Sequence, residues 1–113
     1  MRHENLKVWQ KSCEFAVQVY KSTSALKDFN YRDQLTRSCL SVASNIAEGM
    51  ERASAKDKLR FLVIARASLA ELKTQILIGV KVAYIDEKFY RQSVTDIDQI
   101  ARMLAGLIKK FEN

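Results

Sequence analysis

Six polar residues, Gln34, Ser38, Ser41, Asn45, Glu48 and Arg52, recur at alternating spacings of four and three. On a helix of 3.6 residues per turn, that spacing draws one continuous stripe. The stripe runs beside an apolar face of Leu35, Cys39, Val42 and Ile46 rather than opposite it. Side chains in that position are at least partly buried, and a buried amide or carboxylate without a partner costs several kcal/mol. Two kinds of chemistry follow from such a stripe. It can hold a ligand or move a proton, or it can hydrogen-bond a neighbouring helix or subunit.

Catalysis finds little support in the rest of the chain. Two-metal sites in helical bundles rest on paired Glu-x-x-His motifs, and the single histidine, His3, lies at a terminus expected to fray. Glu48 and Glu71 could both face inward, but without histidines a structural role is favoured for them. No Cys-x-x-Cys pair offers a zinc site. The glycines at 49, 79 and 106 are too scattered for a phosphate loop. Ser38, Ser41, Ser44 and Ser68 have no histidine base; a serine–lysine arrangement stays open, although no spacing selects one. Cys13 and Cys39 fall on apolar faces and read as reduced core thiols. The expectation is a protein that is not an enzyme, with no catalytic residue, cofactor or metal.

The elements that carry these residues are helices. The chain has 113 residues, no proline and three glycines, so sheets and hairpins have little punctuation. Residues 5–26 repeat Leu6, Trp9, Cys13, Ala16 and Tyr20 as a heptad-like seam, with Val8, Phe15 and Val19 as a second edge. Lys27 to Asn30 interrupts the period, with Asn30 placed to cap a second helix over 31–51. Ser54 and Asp57 form a capping-box pattern opening a third helix that runs to about Ala83. Asp86 caps a fourth over 87–111, with Ile97, Ile100 and Leu104 inside and Asp96 and Asp98 toward solvent. Short connections make neighbours antiparallel, predicting an all-α, up-down-up-down antiparallel four-helix bundle as a single domain over 1–113. The third helix is unusual, because its apolar residues surround much of its circumference, with Ile64, Ala67 and Ile78 on a side of their own. A bundle helix apolar on most sides predicts burial against another subunit.

Charge narrows the partners. The formal net charge is +6 at pH 7, compatible with a polyanion and equally with a well-solvated surface. Lys7 and Lys11 open the first helix, Lys56, Lys58 and Arg60 the third, while Arg102, Lys109 and Lys110 close the fourth. These eight avoid the predicted core faces and are the candidate nucleic-acid contacts. No helix-turn-helix, zinc-finger or aromatic ribonucleoprotein signature accompanies them, so any contact would be to phosphates. No signal-peptide core or spanning segment is present, which predicts a cytoplasmic protein without a membrane partner.

Four blocks carry a family resemblance. They are Leu6-Lys7-Val8-Trp9-Gln10-Lys11, Gln34-Leu35-Thr36-Arg37-Ser38, Ser44-Asn45-Ile46-Ala47-Glu48-Gly49 followed by Arg52, and the run from Phe61 to Leu72 containing Ser68-Leu69-Ala70-Glu71. Together they resemble the 23S rRNA intervening-sequence protein family of small bacterial four-helix bundles. The resemblance implies a homo-pentamer with a central opening and a basic surface. It also implies kinship to accessory proteins of diversity-generating retroelements, and hence RNA, DNA or a reverse transcriptase-like protein as partners. Prolines frequent in the family before the second helix and before Ser44 are absent here, and Ala67 stands where glycine is frequent. Arg37, Asn45, Glu48, Ser68 and Glu71 are expected to form polar contacts between helices or subunits. Two functions follow: an oligomeric, non-enzymatic nucleic-acid-binding protein, or a protein-interaction scaffold whose basic charge is incidental.

Overall fold

The computed structural model describes residues 3–112. A 3₁₀ turn at His3–Asn5 leads into four helices: α1 (Lys7–Thr23), α2 (Phe29–Met50), α3 (Ala55–Lys81) and α4 (Glu87–Phe111). Packing joins each helix to its sequence neighbours and α1 to α4, closing an antiparallel four-helix bundle. The molecule measures 43 × 22 × 21 Å. At about 1.5 Å per residue, α3 alone nearly spans the long axis, so the helices run along it.

Helix boundaries follow cap chemistry. Ser54 Oγ accepts the Asp57 N–H at 3.1 Å, and Asp86 Oδ1 accepts the Phe89 N–H at 2.7 Å. At α2 the cap is Asp28, not Asn30: its Oδ1 accepts the Tyr31 N–H at 3.1 Å, so the helix starts earlier than its period indicated. The first helix is shorter than predicted at both ends, running only from Lys7 to Thr23. α3 stops at Lys81 because Ala83 turns left-handed, with φ 65°. Tyr84 N–H then bonds Gly79 O at 2.9 Å and Ala83 N–H bonds Val80 O at 3.2 Å, a Schellman closure with alanine where glycine is usual.

The core is built from one side of every helix. Leu35, Val42 and Ile46 of α2, Leu62, Leu69, Leu72 and Ile76 of α3, and Ile97, Ile100 and Leu104 of α4 are buried together. In α1 the buried set is Val8, Ser12, Phe15, Ala16, Val19 and Thr23. The expected seam of Leu6, Trp9, Cys13, Ala16 and Tyr20 is therefore rotated: Ala16 is buried, Trp9 and Cys13 are half-buried, and Tyr20 is exposed. Ser12 and Thr23 escape an apolar count because each hydroxyl is satisfied by the carbonyl four residues back, Val8 O and Val19 O. His3 is not frayed. Its ring is buried edge-on against Trp9, and Nδ1 lies 2.9 Å from Glu51 Oε2, tying the chain start to the end of α2.

α2 and α3 approach closely at Gly49, while Gly79 leaves room for side chains from α2 and from the connection to α4. A Cβ on Gly49 would stand 2.9 Å from Phe61 Cβ, and one on Gly79 would collide with the Tyr31 hydroxyl and Ile85. Gly106 faces open space. Gly49→Ala and Gly79→Ala should therefore each cost about 1–3 kcal/mol in chemical denaturation through overpacking. Gly106→Ala should stabilise by up to about 1 kcal/mol through helix propensity.

The loop-side end of α2 carries a titratable contact. Asp28 is held below the ordinary carboxylate range, chiefly by the Tyr31 N–H and then by the Tyr84 hydroxyl, which donates to Oδ2 at 2.8 Å. A carboxylate depressed in the folded state contributes stability above its unfolded value and loses it as pH falls through the folded one. Asp28→Asn should therefore reduce stability at neutral pH and flatten the acid side of a stability–pH curve.

Candidate polar seam and basic end

The polar stripe of α2 faces α3 in its central stretch. Ser41 Oγ lies 2.7 Å from Ser68 Oγ across the two helices, and Asn45 Nδ2 donates to Ser41 O at 2.8 Å and to Ser41 Oγ at 3.1 Å. Ser38 Oγ donates to Glu71 Oε1 at 3.4 Å, a long bond. Ser38 and Ser68 are buried, Ser41 and Asn45 half-buried, and Glu71 exposed. Asn45, Ser68 and Glu71 thus share one seam, with Ser41 at its centre. Glu48 is exposed and pairs with Arg52 at 3.3 Å on its own helix. Arg37 is exposed and makes no hydrogen bond or ion pair among the described residues.

The expected network of Arg37, Asn45, Glu48, Ser68 and Glu71 omits Ser41, which stands at the centre of the seam because its hydroxyl meets Ser68 from α3 and Asn45 from its own helix. The buried carboxylate lies elsewhere. Asp96, expected at the surface, is buried, accepting from Lys11 Nζ at 3.0 Å and Gln92 Nε2 at 3.2 Å. Asp98 is half-buried and stands 3.8 Å from Lys73. An acidic residue beside an apolar period is read as solvent-facing, and its cation on α1 is visible only once α1 and α4 are side by side.

Antiparallel topology collects the cation candidates toward one end. Lys7 and Lys11 open α1, Lys56, Lys58 and Arg60 open α3, and Lys109 and Lys110 close α4, with Arg102 further up that helix. Not all of them are available. Lys11 is committed to Asp96, and Lys58 Nζ donates to Met50 O at 2.9 Å while lying over the Phe111 ring. Arg60 stands 3.8 Å from Asp57, a long contact between exposed side chains that leaves the guanidinium accessible. Lys7, Lys56, Arg102, Lys109 and Lys110 are exposed and form no ion pair among the described residues.

Thiol chemistry is suppressed by packing. Burial pushes the Cys39 thiol up to about 12, and burial followed by the charge of Glu14 raises Cys13. Both stay protonated at neutral pH. Among the described residues, no three His, Cys, Asp or Glu side chains gather as a metal site, and no helix is long and apolar enough to cross a membrane.

Two sides of the bundle expose apolar residues. The outer side of α3 presents Val63, Ile64, Leu77 and Ile78, each 39–50% exposed, with Ala67 and Ala70 between them. On the side formed by α1 and α2, Val17, Tyr20 and Leu40 are 45–49% exposed.

The profile of the 23S rRNA-intervening sequence protein family matches residues 4–106. A solved structure from Bacteroides thetaiotaomicron VPI-5482, described as a protein with unknown function from the S23 ribosomal protein family, superposes with a TM-score of 0.84. It is 30% identical, and the match covers 90% of this chain and 98% of that one. No curated protein matches.

The seam makes a quantitative prediction. Ser41→Ala should cost about 1–2 kcal/mol by leaving the buried Ser68 hydroxyl without its partner. Glu48→Ala should stay within about 0.5 kcal/mol, since among the described residues its ion pair is the exposed one with Arg52 on the same helix. Denaturant melts of the two variants, compared at equal slope, measure the difference.

Proposed function

Because the chain belongs to the 23S rRNA-intervening sequence protein family, we propose that it acts as a non-enzymatic oligomer that binds RNA or DNA backbones through its basic end. The observation that carries this reading is the gathering of Lys7, Lys56, Lys109 and Lys110, without ion pairs among the described residues, at one end of the bundle, with Arg102 further up α4. Lysines and arginines spread over a surface serve solubility. Unpaired ones brought together by topology create a local field that attracts a polyanion and releases its counterions on contact.

Assembly is the second part of the proposal. The apolar side of α3 differs in composition and position from the apolar side made by α1 and α2. Docking of one against the other is a head-to-tail contact, which closes into a ring when the rotation permits. Five subunits is the number the family resemblance implies. Cyclic symmetry leaves all basic ends on the same face of such a ring, so that weak phosphate contacts from several chains act together. A nucleic-acid complex or a reverse transcriptase-like protein is the partner class this arrangement would serve.

Light scattering at micromolar concentration should give a particle of several chains, and Ile78→Glu with Val63→Glu should reduce it to monomers that retain helical circular dichroism. Anisotropy titrations should show RNA and DNA binding that weakens steeply with salt, without strong sequence preference. A stable wild-type monomer overturns the ring. Absence of binding at low salt overturns the polyanion reading and favours the protein-interaction scaffold.

A further inference from the structure

Two arginines at the basic end are held differently from its lysines. Arg52 Cζ lies 4.5 Å from the centroid of the Phe61 ring, and Arg60 Cζ lies 4.8 Å from the same centroid. One ring therefore carries two guanidinium groups from two sequence regions, the turn after α2 and the second turn of α3. Phe61 is only 8% exposed, so the ring is fixed by packing. Its position follows from the close approach at Gly49, whose missing Cβ admits the Phe61 Cβ beneath the last turn of α2. Lys58, bonded to Met50 O, fastens the same junction.

We propose that Arg52 and Arg60, laid on Phe61, form a preorganised clamp for phosphate groups of a single nucleic-acid strand; this rests on the polyanion reading above. The ring holds each guanidinium carbon within 5 Å of its centroid, and the N–H groups turned away from it can meet phosphate oxygens, bidentate where geometry allows. Each edge is met by an exposed carboxylate: Glu48 at 3.3 Å from Arg52 and Asp57 at 3.8 Å from Arg60. Exposed pairs of this kind contribute little. They orient the guanidinium while no ligand is bound and yield to a phosphate. The free lysines of the same end carry charge but no such support, and each must be ordered from a mobile chain when it binds.

The test uses the full-length assembled protein and a fluorescein-labelled oligouridylate, with anisotropy read across a salt series. Arg52→Lys and Arg60→Lys keep the charge and remove the rigid N–H fork, and each should weaken binding by about two- to five-fold through loss of bidentate phosphate contact. Arg52→Gln with Arg60→Gln should lower the salt slope by about 1.4, the value for two single-strand phosphates. Lys110→Gln, which removes charge without touching the ring, should weaken binding by less than either arginine-to-lysine exchange. Phe61→Leu should reproduce the arginine-to-lysine loss; if it melts early, the two lysine variants decide the matter alone. Lysine variants that bind like wild type, or a Lys110→Gln loss equal to that of either arginine-to-lysine exchange, overturn the clamp and leave binding by diffuse charge intact. Failure of the wild-type protein to bind the oligonucleotide at low salt overturns both.

Discussion

The close approach of α2 and α3 is the constraint on which the rest of the bundle depends. Glycines stand at both ends of this contact: Gly49 under Phe61 and Gly79 against Tyr31 and Ile85. Between them the helices meet through Ser41 and Ser68, whose hydroxyls touch at 2.7 Å. Small residues let two backbones come near, and nearness places polar side chains where water cannot serve them. Hydrogen bonds across the seam then become a requirement for register rather than an addition to it. The same geometry fixes the tips. At one tip Tyr31 donates to Gln75 O at 2.7 Å and packs edge-on against Tyr84; at the other, Arg52 reaches the Phe61 ring.

The two ends of the molecule differ in chemistry although they share one topology. In an antiparallel bundle each end receives two helix N-termini and two C-termini, so the helix dipoles nearly cancel there. Side chains alone create the asymmetry. The end formed by the start of α1, the turn between α2 and α3, and the close of α4 holds Lys7, Lys56, Lys109 and Lys110 and the two arginines over Phe61, while Lys21, Lys27, Lys81 and Lys88 are exposed at the other end. The opposite end holds Asp28, Tyr31 and Tyr84, whose hydroxyls and carboxylate satisfy one another or a backbone carbonyl. Basic residues near the bundle axis are consumed internally, as Lys11 is by Asp96.

α3 illustrates how a helix can satisfy one core and still carry a second apolar side. Its inner arc, with Leu62, Ala65, Leu69, Leu72 and Ile76, is fully committed to the bundle. The outer arc places Val63, Ala67, Ala70, Thr74 and Leu77 in a line of fours and threes, the spacing that helices use to pack on one another. Glu71 lies toward the α2 seam and accepts from Ser38. An outer helix face with this pattern is a contact surface in chemical character, whatever meets it.

Much of this was legible in the residues themselves. Periods of three and four, Ser54 and Asp86 as caps, and the absence of proline determined four helices and their antiparallel order, because helix formation and capping are local interactions read within a few residues. The stripe from Gln34 to Arg52 was visible for the same reason, as were the four blocks that identify the family. Tertiary structure decided the partners. Whether Ser41 or Glu48 crosses to α3, whether Asp96 is buried, and whether His3 is tied down all depend on which side chain of another helix stands opposite. The rotation of α1 was misjudged because Ser12 and Thr23 bury their hydroxyls against their own helix and so count as core while looking polar. Arg52 and Arg60 share a ring because a glycine at 49 allows one backbone to approach another, and no periodicity records a distance between helices.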